Sequence, residues 1–255
     1  LVIEQNKDNG YRIAKSSLFN ISTGKIDNIW IKRADKSQLT LWHLLQSIIT
    51  KLLPLKIIRT TASQGGSNTL KHEKETIEKF KRAGINVPEI IYSDNDIIIT
   101  KNLGESLHHK ISTINEDIFT NALITRTAHE LIAIHKKNLC HGRPYIKDIT
   151  IDELDNIGFL DFEENVLSVM PLDIAQVRDI WLFSLSISDF VSKEFLDEII
   201  IELMQGTTLE SKVEFKRFIK ILKYARRLAC LLKIKGKDID KFIKANYSFE
   251  NYFRI

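Results

Sequence analysis

ELIAIHKKNLCHGRPYIKDITIDELDNIGFLDF, residues Glu130–Phe162, is the stretch whose reading decides the fold. Its first part, through Leu139, has helical periodicity: Leu131, Ile132 and Ile134 are apolar, and His135, Lys136 and Lys137 are polar towards the end. His141-Gly142-Arg143-Pro144 predicts a loop, because Gly and Pro together stop a helix. Two short apolar runs follow, Ile149–Ile151 and Ile157–Leu160, separated by the turn-prone pair Asp155-Asn156. The second run leads into Asp161-Phe162. Helix, His-containing loop, hairpin and Asp-Phe therefore stand in that order.

That order is how a protein-kinase fold builds the phosphoryl-transfer site of its C-terminal lobe. His141-Gly142-Arg143 resembles the His-Arg/Gly-Asp catalytic loop, and Asp161-Phe162-Glu163 resembles Asp-Phe-Gly. The chain is similar to small bacterial kinase-like families: the lipopolysaccharide core (Kdo and heptose) kinases and the RIO-type atypical kinases. The resemblance covers most of the chain. It implies an α+β, two-lobed fold, with a small antiparallel-sheet N-lobe over 1–101 and a mainly helical C-lobe over 102–255. The catalytic loop would be 141–148. One departure matters: the loop's catalytic Asp falls on Arg143, and its metal-binding Asn falls on Asp148.

Composition bounds the answer more loosely. With 255 residues, 44% of them hydrophobic, the chain can bury a full core in one domain or two lobes. No apolar run reaches membrane-spanning length; the longest, around Leu39–Leu55, is broken by Trp42-His43, Gln46-Ser47, Lys51 and Pro54. No secretory signal is visible in LVIEQNKDNG. Cys140 and Cys230 lack metal-ligand spacing, and a reduced, cytoplasmic compartment fits them best. A formal net charge of +4 permits an anionic partner without demanding one.

Ahead of the deciding stretch, Tyr11–Ile21 and Lys25–Arg33 read as strands around a turn at Ser22-Thr23-Gly24. On pattern alone, Lys32 ends a strand as many lysines do. Its setting in Ile29-Trp30-Ile31-Lys32 resembles Val-Ala-Ile-Lys, and the resemblance gives it the α- and β-phosphates of ATP. Lys56 is the competing nucleotide lysine. Leu39–Leu53 has apolar residues at helix spacing and is a helical insertion relative to ordinary protein kinases. Thr60–Thr69 reads as a flexible polar loop; its Gly65-Gly66 matches no phosphate-loop pattern, so a plain linker is expected.

A helix over Leu70–Ala83, closed by Gly84, comes next. The resemblance makes its Glu73 the partner of the strand lysine, although a helix glutamate among Glu75 and Glu78 is ordinarily a solvated charge. Glu89–Tyr92 and Asp96–Thr100 form a hairpin about Ser93-Asp94-Asn95. Lys101-Asn102-Leu103-Gly104 resembles the inter-lobe hinge that meets the adenine ring, which makes Asn102 a nucleotide-site residue. Beyond Asp161, Val166–Leu172 is a short activation-like segment, and Asp173–Phe190 reads as a buried helix. Asp179 on that helix resembles the acid that braces the catalytic loop through backbone N–H bonds. So short a segment leaves little room for a peptide, which favours a sugar, lipid or other small acceptor.

From Lys193 the chain is helical and grows basic. Lys216, Arg217, Lys220, Lys223, Arg226 and Arg227 lie beside an apolar face made by Phe218, Ile219, Leu222, Ala225 and Ala229. Such a helix permits peripheral contact with an anionic membrane, at the inner face if the chain is cytoplasmic, though a solvated basic side is commoner.

The implied cofactors are ATP and Mg²⁺, bound between the lobes. Lys32 with Glu73 would hold phosphates, and Asp161 with Asp148 the metal. Arg143 cannot act as a base near neutral pH. Two roles stay open: Asp148 orients the acceptor hydroxyl, or Arg143 stabilises charge on the transferred group. A catalytically impaired pseudokinase, binding nucleotide or acting as a scaffold, is the alternative. A zinc enzyme, a Gly-x-Ser-x-Gly hydrolase and a nucleic-acid binder each lack their motif, and no nucleic-acid partner is expected.

Overall fold

The computed structural model describes residues 11–19, 26–34, 56–59, 66–114, 116–231 and 237–255. The expected helical insertion over 39–53 and Gly65 lie outside them. Among the described residues the chain is α+β, with seven α-helices and two small antiparallel sheets. The described residues within 1–53, 60–105 and 150–168 form one compact unit; those within 54–59, 106–149 and 169–255 form another.

The first unit is built on a four-stranded sheet in the order β1-β2-β4-β3. Its strands are β1 (Tyr11–Phe19), β2 (Ile26–Ala34), β3 (Ile90–Ser93) and β4 (Ile97–Lys101). β2 pairs with β1 and β4, placing Lys32 opposite Ile98 and Trp30 opposite Thr100. The β3–β4 turn is pinned by Asp94, whose Oδ1 accepts the Asp96 and Ile97 N–H groups, both at 2.8 Å. An aspartate does this because its short side chain can replace a backbone acceptor in a tight turn.

Helix α1 (Gly66–Arg82) packs across β2. It begins four residues before Leu70, so Gly66 to Thr69 are helical rather than loop. Ser, Asn and Thr suit a helix's first turn as well as a loop, because their side chains can satisfy its unpaired N–H groups. The buried face is Thr69, Leu70, Glu73, Ile77 and Phe80. A second sheet, in the order β5-β6-β7, is made by β5 (Glu105–Ser106), β6 (Ile149–Ile151) and β7 (Ile157–Phe159). The β6–β7 turn is held by Asp152 Oδ1, which accepts the Leu154 and Asn156 N–H groups at 2.9 and 2.8 Å. Gly104 has φ +126°, and a Cβ there would stand 2.1 Å from the Ile151 carbonyl oxygen. Only glycine lets the chain pass so close to β6.

The second unit is helical: α2 (Leu107–Thr113), α3 (Asp117–Lys136), α4 (Leu172–Ile187), α5 (Lys193–Met204), α6 (Leu209–Leu231) and α7 (Lys237–Phe253). Ser106 and Ser192 cap α2 and α5 by accepting the His109 and Phe195 N–H groups. α3 ends at Lys136, three residues before Leu139, where Asn138 turns left-handed at φ +56°. Asparagine tolerates that conformation and so serves as a helix stop. α4 is central, burying Val177, Asp179, Ile180, Phe183 and Ile187 completely, and α5, α6 and α7 each pack on it. Phe215, Phe218 and Phe249 fill the space around it, with Trp181 of α4 edge-on to Phe218 at 5.0 Å.

Candidate functional site

Three residues singled out in the sequence meet inside the first unit. Lys32 Nζ lies 2.5 Å from Glu73 Oε1 and 2.9 Å from Asp161 Oδ1. They come from a central strand, a helix and the segment after β7, 41 and 129 residues apart in sequence. Each is delivered by local structure. Lys32 shares a face of β2 with Trp30, by the two-residue period of a strand. Glu73 stands in line with Leu70, Ile77 and Phe80, by the helical period. Asp161 takes a left-handed backbone, φ +65°, which turns the chain between β7 and Phe162. Phe162 is buried and packs on Phe80 of α1, ring centroids 4.6 Å apart, fastening the Asp161 segment to the helix that carries Glu73.

The electrostatics of this triad follow from its burial. Desolvation pulls the Lys32 ammonium down, but the charges of Asp161 and Glu73 and their hydrogen bonds outweigh it, and the pKa ends above its ordinary 10.5. Burial pushes Glu73 above the usual carboxylate range, and the Asp161 charge adds to this while Lys32 opposes it. One ammonium held by two carboxylates carries net negative charge when all three are ionised. Such a set suits a second cation beside Asp161. Among the described residues no group of three or more His, Cys, Asp or Glu side chains is arranged to hold a metal by itself. Mg²⁺ commonly needs only one or two protein carboxylates when phosphate oxygens complete its shell, and the triad fits that requirement.

Asn102 belongs to the same unit. Its Oδ1 accepts the Trp30 indole N–H at 3.1 Å and the Gly104 N–H at 3.4 Å, and its own N–H donates to the Asn28 carbonyl at 2.8 Å. Its side-chain oxygen is thus engaged with β2 and the Gly104 turn.

The 141–148 loop lies in the second unit. Asp179, fully buried on α4, accepts the His141 and Gly142 N–H groups at 2.7 and 2.8 Å, the bonds expected of a bracing acid. His135 Nε2 lies 3.3 Å from the same carboxylate. The Arg143 N–H donates to His141 Nδ1 at 3.3 Å, so the buried imidazole folds the loop onto itself. Arg143 Nε stands 4.0 Å from Asp148 Oδ2, and its guanidinium lies 6.0 Å from the centre of the Tyr145 ring. Lys56, the competing lysine, is exposed in a one-turn helix of this unit, its backbone N–H bonded to Glu214.

Two residues that sequence reasoning passed over complete the loop's support. Arg178 donates from Nη1 to the Gly142 carbonyl. Gln176 donates from Nε2 to the His135 and Leu139 carbonyls at 3.0 and 2.9 Å. Gly142, at φ +98°, is thus held by its N–H through Asp179 and by its carbonyl through Arg178. The available signal was proximity: Gln176 and Arg178 precede Asp179 within one helical turn. A separate open groove of about 510 Å³ runs along α3 and α5, lined by His129, Lys136, Glu202 and Gln205 among others. It includes none of the residues singled out in the sequence.

No protein-family model matches the chain. The chain is similar to an uncharacterized protein of Haemophilus influenzae, 31% identical over 136 residues, or 52% of this chain and 55% of that protein. The chain therefore spans about half the length of the relative it matches.

Proposed function

We propose that this chain is an ATP-dependent phosphotransferase of the kinase-like superfamily, related to lipopolysaccharide core and RIO-type kinases, acting on a sugar, lipid or other small hydroxyl acceptor. The observation that carries the reading is the Lys32–Glu73–Asp161 triad: a strand lysine held by a helix glutamate and by the aspartate of an Asp-Phe pair. A lysine that merely ended a strand would reach solvent; this one is committed to two carboxylates in a buried setting.

The roles follow from the chemistry of each group. Bound MgATP supplies the transferred phosphoryl group and much of the charge neutralisation. Lys32 would bond phosphate oxygens, with Glu73 holding the ammonium in place. Asp161 is the carboxylate that would hold the metal. By the resemblance, Asp148 is the carboxylate that would orient the acceptor hydroxyl and take up its proton as the hydroxyl oxygen bonds phosphorus and ADP departs. By the resemblance, Arg143 is the alternative candidate: it would stabilise charge on the transferred group, since positioning and electrostatics supply most of the acceleration in this reaction. His141 is a positioning residue, because its ring is buried against its own loop. A catalytically impaired pseudokinase is the second reading, and Arg143 at the base position is what favours it.

The test is calorimetric titration of ATP with and without Mg²⁺, followed by ATP consumption with sugar and lipid acceptors. Lys32→Ala should abolish nucleotide binding and Lys56→Ala should leave it intact. Asp148→Asn should bind nucleotide normally and lose most turnover. Binding without turnover for any acceptor assigns the pseudokinase. No binding in the wild-type chain rejects the phosphotransferase and leaves the scaffold form of the pseudokinase, and a larger effect of Lys56→Ala rejects the lysine assignment.

A further inference from the structure

Helix α6 carries a surface that the triad does not use. Leu209, Val213, Arg217, Lys220, Tyr224 and Arg227 are all exposed, with Leu209 at 73%, Val213 at 46% and Tyr224 at 67% of full exposure. At 3.6 residues per turn these six positions fall within about 80° of arc. They therefore form one stripe along the helix, opposite the buried Ser211, Phe215, Phe218 and Ile219. The structure also sorts the basic cluster. Lys223 turns aside to Glu250, 3.7 Å away, and Lys216 lies 6.0 Å from the centre of the Phe253 ring. Arg217, Lys220 and Arg227 stay on the outward stripe, with the Arg227 guanidinium 5.9 Å from the centre of the Tyr224 ring. Glu210 flanks the stripe in the helix's first turn, where a carboxylate complements the helix dipole.

We propose that this stripe docks the protein onto an anionic lipid bilayer, with α6 lying along the surface. The composition distinguishes a bilayer from a polynucleotide. Three cations match a negatively charged headgroup layer, and two exposed aliphatic residues with a tyrosine match the headgroup–acyl boundary. A polyanion without an apolar layer would give Leu209 and Val213 nothing to bury against. No helix among the described residues is long and apolar enough to cross a membrane, so the contact is one of lying on the surface. The proposal is independent of the phosphotransferase reading.

The test is co-sedimentation of the full chain with phosphatidylcholine vesicles, with and without phosphatidylglycerol, at low and high salt. Binding is expected only with the anionic lipid and should weaken as salt screens the charges. Each stripe cation contributes roughly fivefold near such a surface. Arg217→Gln, Lys220→Gln and Arg227→Gln together should therefore weaken binding by about a hundredfold, while Lys71→Gln, Lys79→Gln and Lys81→Gln together, also exposed, should change it far less. Leu209→Ala with Val213→Ala should weaken vesicle binding and leave binding of a single-stranded oligonucleotide unaffected. Because these positions are exposed, unchanged circular dichroism will show that the variants fold. Equal loss in the control triple, binding to neutral vesicles as strong as to anionic ones, or no vesicle binding at all overturns the proposal. Oligonucleotide binding that needs the cations, beside vesicle binding that ignores the aliphatic pair, reassigns the stripe to nucleic acid.

Discussion

Glu73 is a carboxylate in an apolar line, with Leu70, Ile77 and Phe80 as its neighbours on the buried face of α1. Burial raises its pKa above the ordinary 4.5. A group raised in the folded state contributes stability in full below its unfolded value, and that contribution is lost as pH rises through the folded value. At neutral pH the ionised Glu73 is therefore a cost, offset by Lys32. Glu73→Gln should lower stability at neutral pH by less than the roughly 3–5 kcal/mol of a broken buried pair, since Asp161 still holds Lys32 and a buried charge is relieved. As pH falls towards 4.5, the wild-type chain should gain on the variant, because only it takes up the extra proton. Urea denaturation of both proteins across that range checks the sign; a gap that narrows or stays constant would show that Glu73 is not raised. Lys32, also raised, loses its contribution only when pH climbs past its ordinary 10.5, so the two transitions lie far apart.

Two predictions concern how elements are held together. Asp179 carries two backbone N–H groups of the 141 loop on one buried carboxylate. Asp179→Ala leaves both donors without it, at roughly 2–5 kcal/mol in total. Urea denaturation should show that loss, and hydrogen exchange should show the Gly142 amide among the first to lose protection. Protection unchanged at Gly142 would mean that Arg178 alone holds the turn. Elsewhere, Gly104→Ala would push a Cβ to 2.1 Å from the Ile151 carbonyl at φ +126°, against backbone that cannot step aside. A loss of roughly 3 kcal/mol is expected. Gly158→Ala meets side chains rather than backbone, the end of Leu103 at 2.4 Å and the buried Thr150 hydroxyl at 2.9 Å, and should cost less, roughly 1–2 kcal/mol. Thermal unfolding of the pair tests the difference; equal losses would argue against the close approach at Gly104.

For the whole molecule, the proposed function predicts linkage between ligand and stability. A nucleotide that binds only the folded chain should stabilise it by about 2.7 kcal/mol at a concentration about a hundred times its Kd. For a chain of this size that is a rise of roughly 5–10 °C in Tm. The rise should need Mg²⁺ for its full extent and vanish in Lys32→Ala. An equal rise in Lys32→Ala would place the nucleotide elsewhere on the molecule. How much could be read beforehand differs by element. The strands around Lys32, the hairpin at Asp94 and the long helix before His141 were legible, because periodicity and turn chemistry are local, whereas the brace at Asp179 was implied only by the resemblance to kinase-like families. By themselves those residues specified helices, strands and the order of the elements; the candidate acids and bases came from the resemblance. Which glutamate of α1 is buried was written in the spacing of Leu70, Ile77 and Phe80, yet Glu75 and Glu78 carry the same side chain. That Glu73 and Asp161 close on one lysine, and that Arg178 and Asp179 grip Gly142 from both sides, only the tertiary structure decided. Long-range pairing depends on which surfaces bury together and at what register, and that information belongs to no single segment of the chain.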